Sequence, residues 1–188
     1  MTTQKSHLLL ATIYMFGAIA SFTAMAVAGR AVSFQLDTFE IMLFRSVVGA
    51  VLVLAFGVYF GQVKEISTRH LPVHLVRNIC HFTGQNLWFF AITVVPLAEV
   101  FALEFTAPLW VLLLAPLVLG EQLSKTRMLA GALGLLGVLL VARPTPDTLS
   151  WGVVAGAMAA IGFAGSIMAT KQLTRSETIW TVLFYMTL

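Results

Sequence analysis

One apolar stretch carries six side chains that can hydrogen-bond or hold charge: His74, Arg77, Asn78, His81, Gln85 and Trp88. At about 100° per residue they fall within a sector of about 100°, forming one polar stripe along one helix face. Imidazole, guanidinium, carboxamide and indole groups in a row suit the binding of a polar solute. Facing hydrocarbon they would lose their partners, so the stripe is expected to face a water-filled cavity or the bundle interior. A structural alternative stands beside this for each end. His74 and Arg77 can snorkel to headgroups, and Gln85 and Trp88 can make ordinary interhelical contacts.

Glu104 is the second chemical signal. It lies about 12 Å below the outer end of its apolar run if a helix begins at Pro96, and a carboxylate at such depth is protonated, paired or part of an ion or proton pathway. Arg45, about 10 Å into another run from the same side, is its expected partner. Two readings of that pair remain open: a static brace between helices, or a site that exchanges the internal partner for a substrate charge or a proton. Pro108 and Pro116 follow Glu104 in the same run, remove backbone hydrogen bonds and are expected to bend it, with Pro108 as a hinge. Glu99 and Glu40 sit nearer the interface and are expected to face water. Glu121, at the opposite end of the run from Glu99, reads as an interfacial charge.

These groups must be held by membrane helices. Of the 188 residues, 59% belong to the AVILMFWYC set and 10% are charged, whereas soluble domains hold about 25% charged residues. So short a soluble chain would be coated in apolar side chains. Runs of about 20 apolar residues predict spans over 8–28, 39–60, 72–94, 97–119, 128–142 and 151–170. The fifth is short and is expected to extend at its ends. A stretch over 178–188 reads as the start of a seventh, and the chain as a fragment or truncated product. The runs are continuous and lack period-two alternation, which favours helices over barrel strands.

Of the eleven Lys and Arg, Arg45 and Arg77 lie within spans and the other nine alternate across the connections. Lys5, Lys64, Arg69, Lys125, Arg127, Lys171 and Arg175 fall on one side and only Arg30 and Arg143 on the other, where Asp37 and Asp147 provide partial balance. The positive-inside rule then places the N-terminus in the cytoplasm of a bacterial-type inner membrane. Lys5 before an apolar run ending in Ala26-Val27-Ala28 also fits a signal peptide, an alternative that leaves the later topology unchanged. The net charge of +3 does not imply nucleic acid, because the cations are scattered singly. The single cysteine, Cys80, reads as a small hydrophobe.

Laid over the first span at an offset of 141 residues, the sixth brings Ala18, Phe22 and Ala28 onto Ala159, Phe163 and Ala169, and Arg30 onto Lys171. Five spans separate the copies, so the second runs in the opposite sense. Inverted repeats of this kind are a transporter architecture with the site at mid-membrane.

Residues 90–142, reading FAITVVPLAEVFALEFTAPLWVLLLAPLVLGEQLSKTRMLAGALGLLGVLLVA, resemble the second half of the EamA repeat of the drug/metabolite transporter superfamily. Leu43-Phe44-Arg45-Ser46 resembles that repeat's inner arginine motif. The resemblance covers most of 10–142. It implies an all-α polytopic helix bundle, with one five-helix repeat over 8–143 and the start of an inverted second repeat over 150–188. It also implies a carrier for amino acids, related metabolites or drugs, with export common.

Gly131, Gly134, Gly137, Gly152, Gly156 and Ala160 recur at helical spacing and predict close backbone packing or dimerisation. No H-E-x-x-H, G-x-S-x-G or phosphate loop is present, and Pro72 between His70 and His74 argues against a metal site, so no cofactor or enzymatic reaction is expected. A lipid-modifying enzyme would need a polar cluster at headgroup level, and none is visible. The expected function is a permease with alternating access, possible proton coupling at Glu104, and Arg45, His81, Gln85, Trp88 and Glu104 as substrate-binding walls. Its partners are a small-molecule solute, the bilayer, and a second copy or the missing C-terminal half. The rival expectation is a non-transporting membrane subunit that only packs against other helices.

Overall fold

The computed structural model describes residues 2–143 and 149–188, with side chains from residue 9 onward. Asp147 lies outside the described residues, and so does the side chain of Lys5. The described chain is helical, with no strand: α1 (Thr2–Val32), α2 (Thr38–Tyr59), α3 (Leu71–Val94), α4 (Leu97–Glu104), α5 (Ala107–Leu119), α6 (Lys125–Ala142), α7 (Trp151–Leu173) and α8 (Ile179–Met186). Leu9–Val32, Thr38–Tyr59, Leu97–Leu119, Lys125–Ala142 and Trp151–Leu173 are long and apolar enough to cross a membrane. The protein is a polytopic helical membrane protein. Helix α3 has 24 residues, long enough to cross, but its polar face keeps it out of that group.

Local chemistry sets the helix ends. The Asp37 side chain accepts from the Glu40 backbone N–H at 2.9 Å, and the Asp37 N–H donates to Glu40 at 2.9 Å, a reciprocal box that starts α2. Glu40 thus has a capping role that charge alone did not reveal. Ser124 and Ser150 cap α6 and α7 through the N–H groups of Arg127 and Val153. The cap at Ser124 explains why α6 starts at Lys125, earlier than its apolar run. Gly120 ends α5 with φ of 66°, a left-handed conformation that favours glycine.

The expected bend in the fourth span is a local interruption of its hydrogen-bond ladder. Helix α4 ends at Glu104, Phe105 and Thr106 form a turn, and α5 restarts at Ala107. Pro108 lies four residues after Glu104, so it cannot donate to the Glu104 carbonyl and its ring crowds that oxygen. The Thr106 N–H turns back to Leu103 O at 3.0 Å, and its hydroxyl reaches the same carbonyl at 2.6 Å. Pro116, in contrast, sits inside an unbroken α5.

Helices α3 and α7 form the tightest seam. A Cβ on Gly162 would lie 2.9 Å from Cys80 O and 2.9 Å from Gly84 Cα, so only glycine allows the backbones to approach this closely. A Cβ on Gly165 would lie 3.0 Å from Cys80 Sγ, so Cys80 packs as the small hydrophobe expected of it. Around the seam lie Trp88, Phe89, Ile92, Val100 and Ala159, with Phe22 and Phe163 packed against them. At one end Arg30, in the last turn of α1, donates from Nε to Ile92 O at 2.5 Å and from Nη2 to Val95 O. It thereby supplies donors to carbonyls that the end of α3 leaves open.

The other end is tied by charge. Glu121 receives Lys171 Nζ at 2.6 Å, Arg175 at 3.2 Å and Arg127 at 3.5 Å. This joins the α5–α6 connection to the end of α7. The hydrogen bond from Lys171 is the largest influence on the Glu121 carboxyl and, with the charges of Lys171, Arg127 and Arg175, holds it below its ordinary value although desolvation opposes them. His70 Nδ1 meets Glu177 at 2.7 Å, whereas His74 stacks on Tyr185 with ring centroids 4.3 Å apart, so the two histidines take different partners.

Candidate functional site

A cavity of about 480 Å³ opens between α1, α3, the α4–α5 break and α7. Four members of the polar stripe line it: Arg77, His81, Gln85 and Trp88. Glu104 and Pro108 line it from the broken span. The stripe therefore divides. His74 and Asn78 are not part of the wall. His74 is buried against Tyr185 with neither ring nitrogen hydrogen-bonded, and Asn78 donates to the Tyr185 carbonyl at 2.6 Å.

The expected Arg45–Glu104 pair does not form. Arg45 donates to Gln85 Oε1 at 2.5 Å and lies 3.9 Å from the Met25 sulfur. Glu104 accepts from Trp88 Nε1 at 2.8 Å. Helix α3 offers each of them a partner instead. Gln85 and Trp88, three residues apart on one face, take the arginine and the carboxylate respectively. Arg45 is not in the wall of the cavity and reaches it through Gln85. Among the described residues Glu104 has no ion pair, and its single side-chain partner is a neutral donor. A second cavity of about 390 Å³, lined by Ala18, Phe22, Phe101 and Phe105, also reaches Glu104.

His81 stands over Phe163 with centroids 5.9 Å apart, brought there by the Gly84–Gly162 approach one turn away. Phe22, Met25, Phe163, Ser166 and Thr170 complete much of the wall. Reading the sequence did not single out Met25, Ser166 or Thr170. The available signal was the 141-residue offset: Phe22 and Met25 of α1 correspond to Phe163 and Ser166 of α7, and all four line the cavity.

In chemical terms the wall offers a guanidinium, an imidazole, a carboxamide, an indole N–H and a carboxylate among aromatic and aliphatic side chains. Its size falls within the range of small-molecule sites, about 300–1,000 Å³. No group of three or more His, Cys, Asp or Glu among the described residues is arranged to hold a metal ion.

An interrupted apolar helix, beside a mainly apolar cavity into which a few polar side chains converge, is an arrangement found in membrane transporters. The chain belongs to the EamA-like transporter family, which it matches over residues 9–143. It is 26% identical over 167 residues to the S-adenosylmethionine uptake transporter of Rickettsia conorii, covering 89% of this chain and 56% of that one. It is 32% identical over 146 residues to the riboflavin transporter of Brucella anthropi, covering 78% and 51%. It is 29% identical over 182 residues to the pseudopaline exporter of Pseudomonas aeruginosa, covering 96% and 62%. These relatives are transporters and not enzymes. The chain spans roughly half to three-fifths of their length. No solved structure matches it.

Proposed function

We propose that this protein contributes the substrate pathway of a carrier for a small polar or amphipathic metabolite in a bacterial inner membrane, with its N-terminus in the cytoplasm. The observation that carries this reading is the convergence of His81, Gln85, Trp88 and Glu104 on one cavity at a helix break inside a membrane bundle. Groups that would be stranded in hydrocarbon instead share a space large enough for a metabolite. In this reading Arg45 sets the Gln85 carboxamide, Trp88 holds the Glu104 carboxylate, and the α4–α5 break ahead of Pro108 is the hinge. The correspondence of cavity-lining positions in α1 and α7 supports 8–143 as a first repeat and 150–188 as the start of an inverted second. On that reading α3 is itself a span, making six, and α8 begins a seventh.

Glu104 is also the proposed proton-coupling group, because it holds no cation partner among the described residues and faces two cavities. The experiment is uptake of S-adenosylmethionine and of riboflavin into proteoliposomes, with and without a pH gradient. Wild type is expected to accumulate at least one of them faster with the gradient. Glu104→Gln should abolish the dependence on the gradient, and His81→Ala should lower uptake at every pH. Uptake unchanged by both substitutions would refute the cavity as the pathway.

A second reading, a non-transporting membrane component, draws on α6. Gly134 and Gly137 line an apolar groove of about 640 Å³ and have almost no protein against them, leaving room for another chain. Stable accumulation in membranes without transport of any solute would favour it.

A further inference from the structure

Arg77 has an uncommon environment for a membrane arginine. Its side chain points inward, 3% exposed, so it does not snorkel to the headgroups. Nε donates to Thr170 Oγ1 at 2.8 Å, and Nη1 donates to Asn78 Oδ1 at 3.0 Å. Both acceptors are neutral. Among the described residues no carboxylate pairs with it: Glu177 is taken by His70, Glu121 by the three cations around it, and Glu104 by Trp88. Asn78 is itself anchored, since its amide donates to the Tyr185 carbonyl of α8. The guanidinium is therefore held in place from two helices, borders the cavity beside Ser166 and Thr170, and has a full charge that no carboxylate among the described residues pairs with. A buried cation without a counter-charge is costly, and a bound anion removes that cost.

From these contacts we infer that Arg77 is the seat for an anionic oxygen group, a carboxylate or phosphate, of the transported solute. This rests on the carrier reading and narrows its substrate class. Arg77 and Trp88 are eleven residues apart on α3, about 16 Å along the axis, and Trp88 holds the Glu104 carboxylate. The cavity is thus positive at one end and acidic at the other. Its fitting occupant carries an acid group at the Arg77 end and a cationic or hydrogen-bond-donating group toward Glu104.

The test uses matched probes that differ in one anionic group: S-adenosylmethionine against its decarboxylated form, and riboflavin 5′-phosphate against riboflavin. Binding to the purified chain in neutral detergent is measured by calorimetry. In at least one pair the anionic member should bind about tenfold or more tightly than its partner, the ratio expected of charge-assisted hydrogen bonds. In Arg77→Gln the ratio should fall to near one. In Arg77→Lys part of it should remain, because lysine keeps the charge without the planar fork. Equal affinities within both pairs in the wild type, binding of none of the four probes, or a ratio that survives Arg77→Gln would overturn the seat. The wild-type comparison needs no variant to fold. Equal affinities that are nonetheless weakened by His81→Ala would remove the seat and leave the cavity standing. Binding indifferent to both His81→Ala and Arg77→Gln would remove the cavity as well. Displacement of the anionic probe by phosphatidylglycerol, in wild type and not in Arg77→Gln, would keep the seat and identify a lipid phosphate as its occupant.

Discussion

The α3–α7 seam and the α6 flank are built from the same residue types and do opposite things. In α7 ten residues are buried, and a Cβ on Gly162 would meet the α3 backbone at once. In α6 the one buried residue is Val138, and a Cβ on Gly137 would meet nothing within 4 Å. Both helices are glycine-rich and apolar. The difference teaches that small residues at helical spacing permit close approach without determining where it happens. Polar side chains gather where it does happen, because two backbones in contact leave space beside them that larger groups on the flanking turns line.

Substitution at the seam should break the contrast most forcefully. Gly162→Leu forces a side chain against Cys80 O and the Gly84 backbone, which cannot yield as a side-chain tip could. We expect a loss of about 3 kcal/mol or more, or no folded protein at all. Gly137→Leu should not lower the unfolding midpoint in mixed detergent, since nothing stands against a side chain there. Equal losses at the two positions would dissolve the distinction.

Trp88→Phe is next. It keeps most of the ring volume and removes the donor that holds Glu104. The expected cost is about 1.5–3 kcal/mol, the range for hydrogen bonds to charged groups, together with lower solute uptake. The same unfolding assay and proteoliposome flux measure both. Gly137→Ala should act in the other direction, stabilising by about 0.5–1 kcal/mol through helix propensity, because nothing there opposes a methyl group.

The smallest effect belongs to Glu121→Gln, in the partly open charge cluster that ties α5 to α7. The folded protein holds this carboxyl below its ordinary value. Its contribution is therefore complete above the unfolded pKa and disappears as pH falls through the depressed one. Wild type should be modestly more stable than the variant at neutral pH, and the two should converge in acid. Added salt should narrow the neutral gap, since the pairs are open to solvent. Thermal unfolding at two pH values and two salt concentrations checks this.

Much of the candidate site was legible because its signals are strong and local. His81, Gln85 and Trp88 share a helix face by periodicity alone, and all three line the cavity. Glu104 stood out by its depth, and Pro108 by its place four residues later. What could not be read was partner choice. Arg45 and Glu104 matched in depth and charge, yet each found a neutral group on α3, because helix rotation and separation decide reach as firmly as depth does. His74 shared the stripe but faces Tyr185, since α8 covers that end of α3. Ser166 and Thr170 are ordinary residues in an Ala-rich helix until α7 is placed.

By itself, the sequence determined that this is a helical membrane protein of the transporter class, where most of its helices lie, and which polar side chains share a face of α3. Hydropathy and periodicity sum over neighbours in the chain, so they survive without a fold. Only the tertiary structure decided which of those polar groups share a cavity and with whom each is bonded. That outcome depends on a backbone contact between Gly84 and Gly162, which lie on different helices and come together only when the bundle packs.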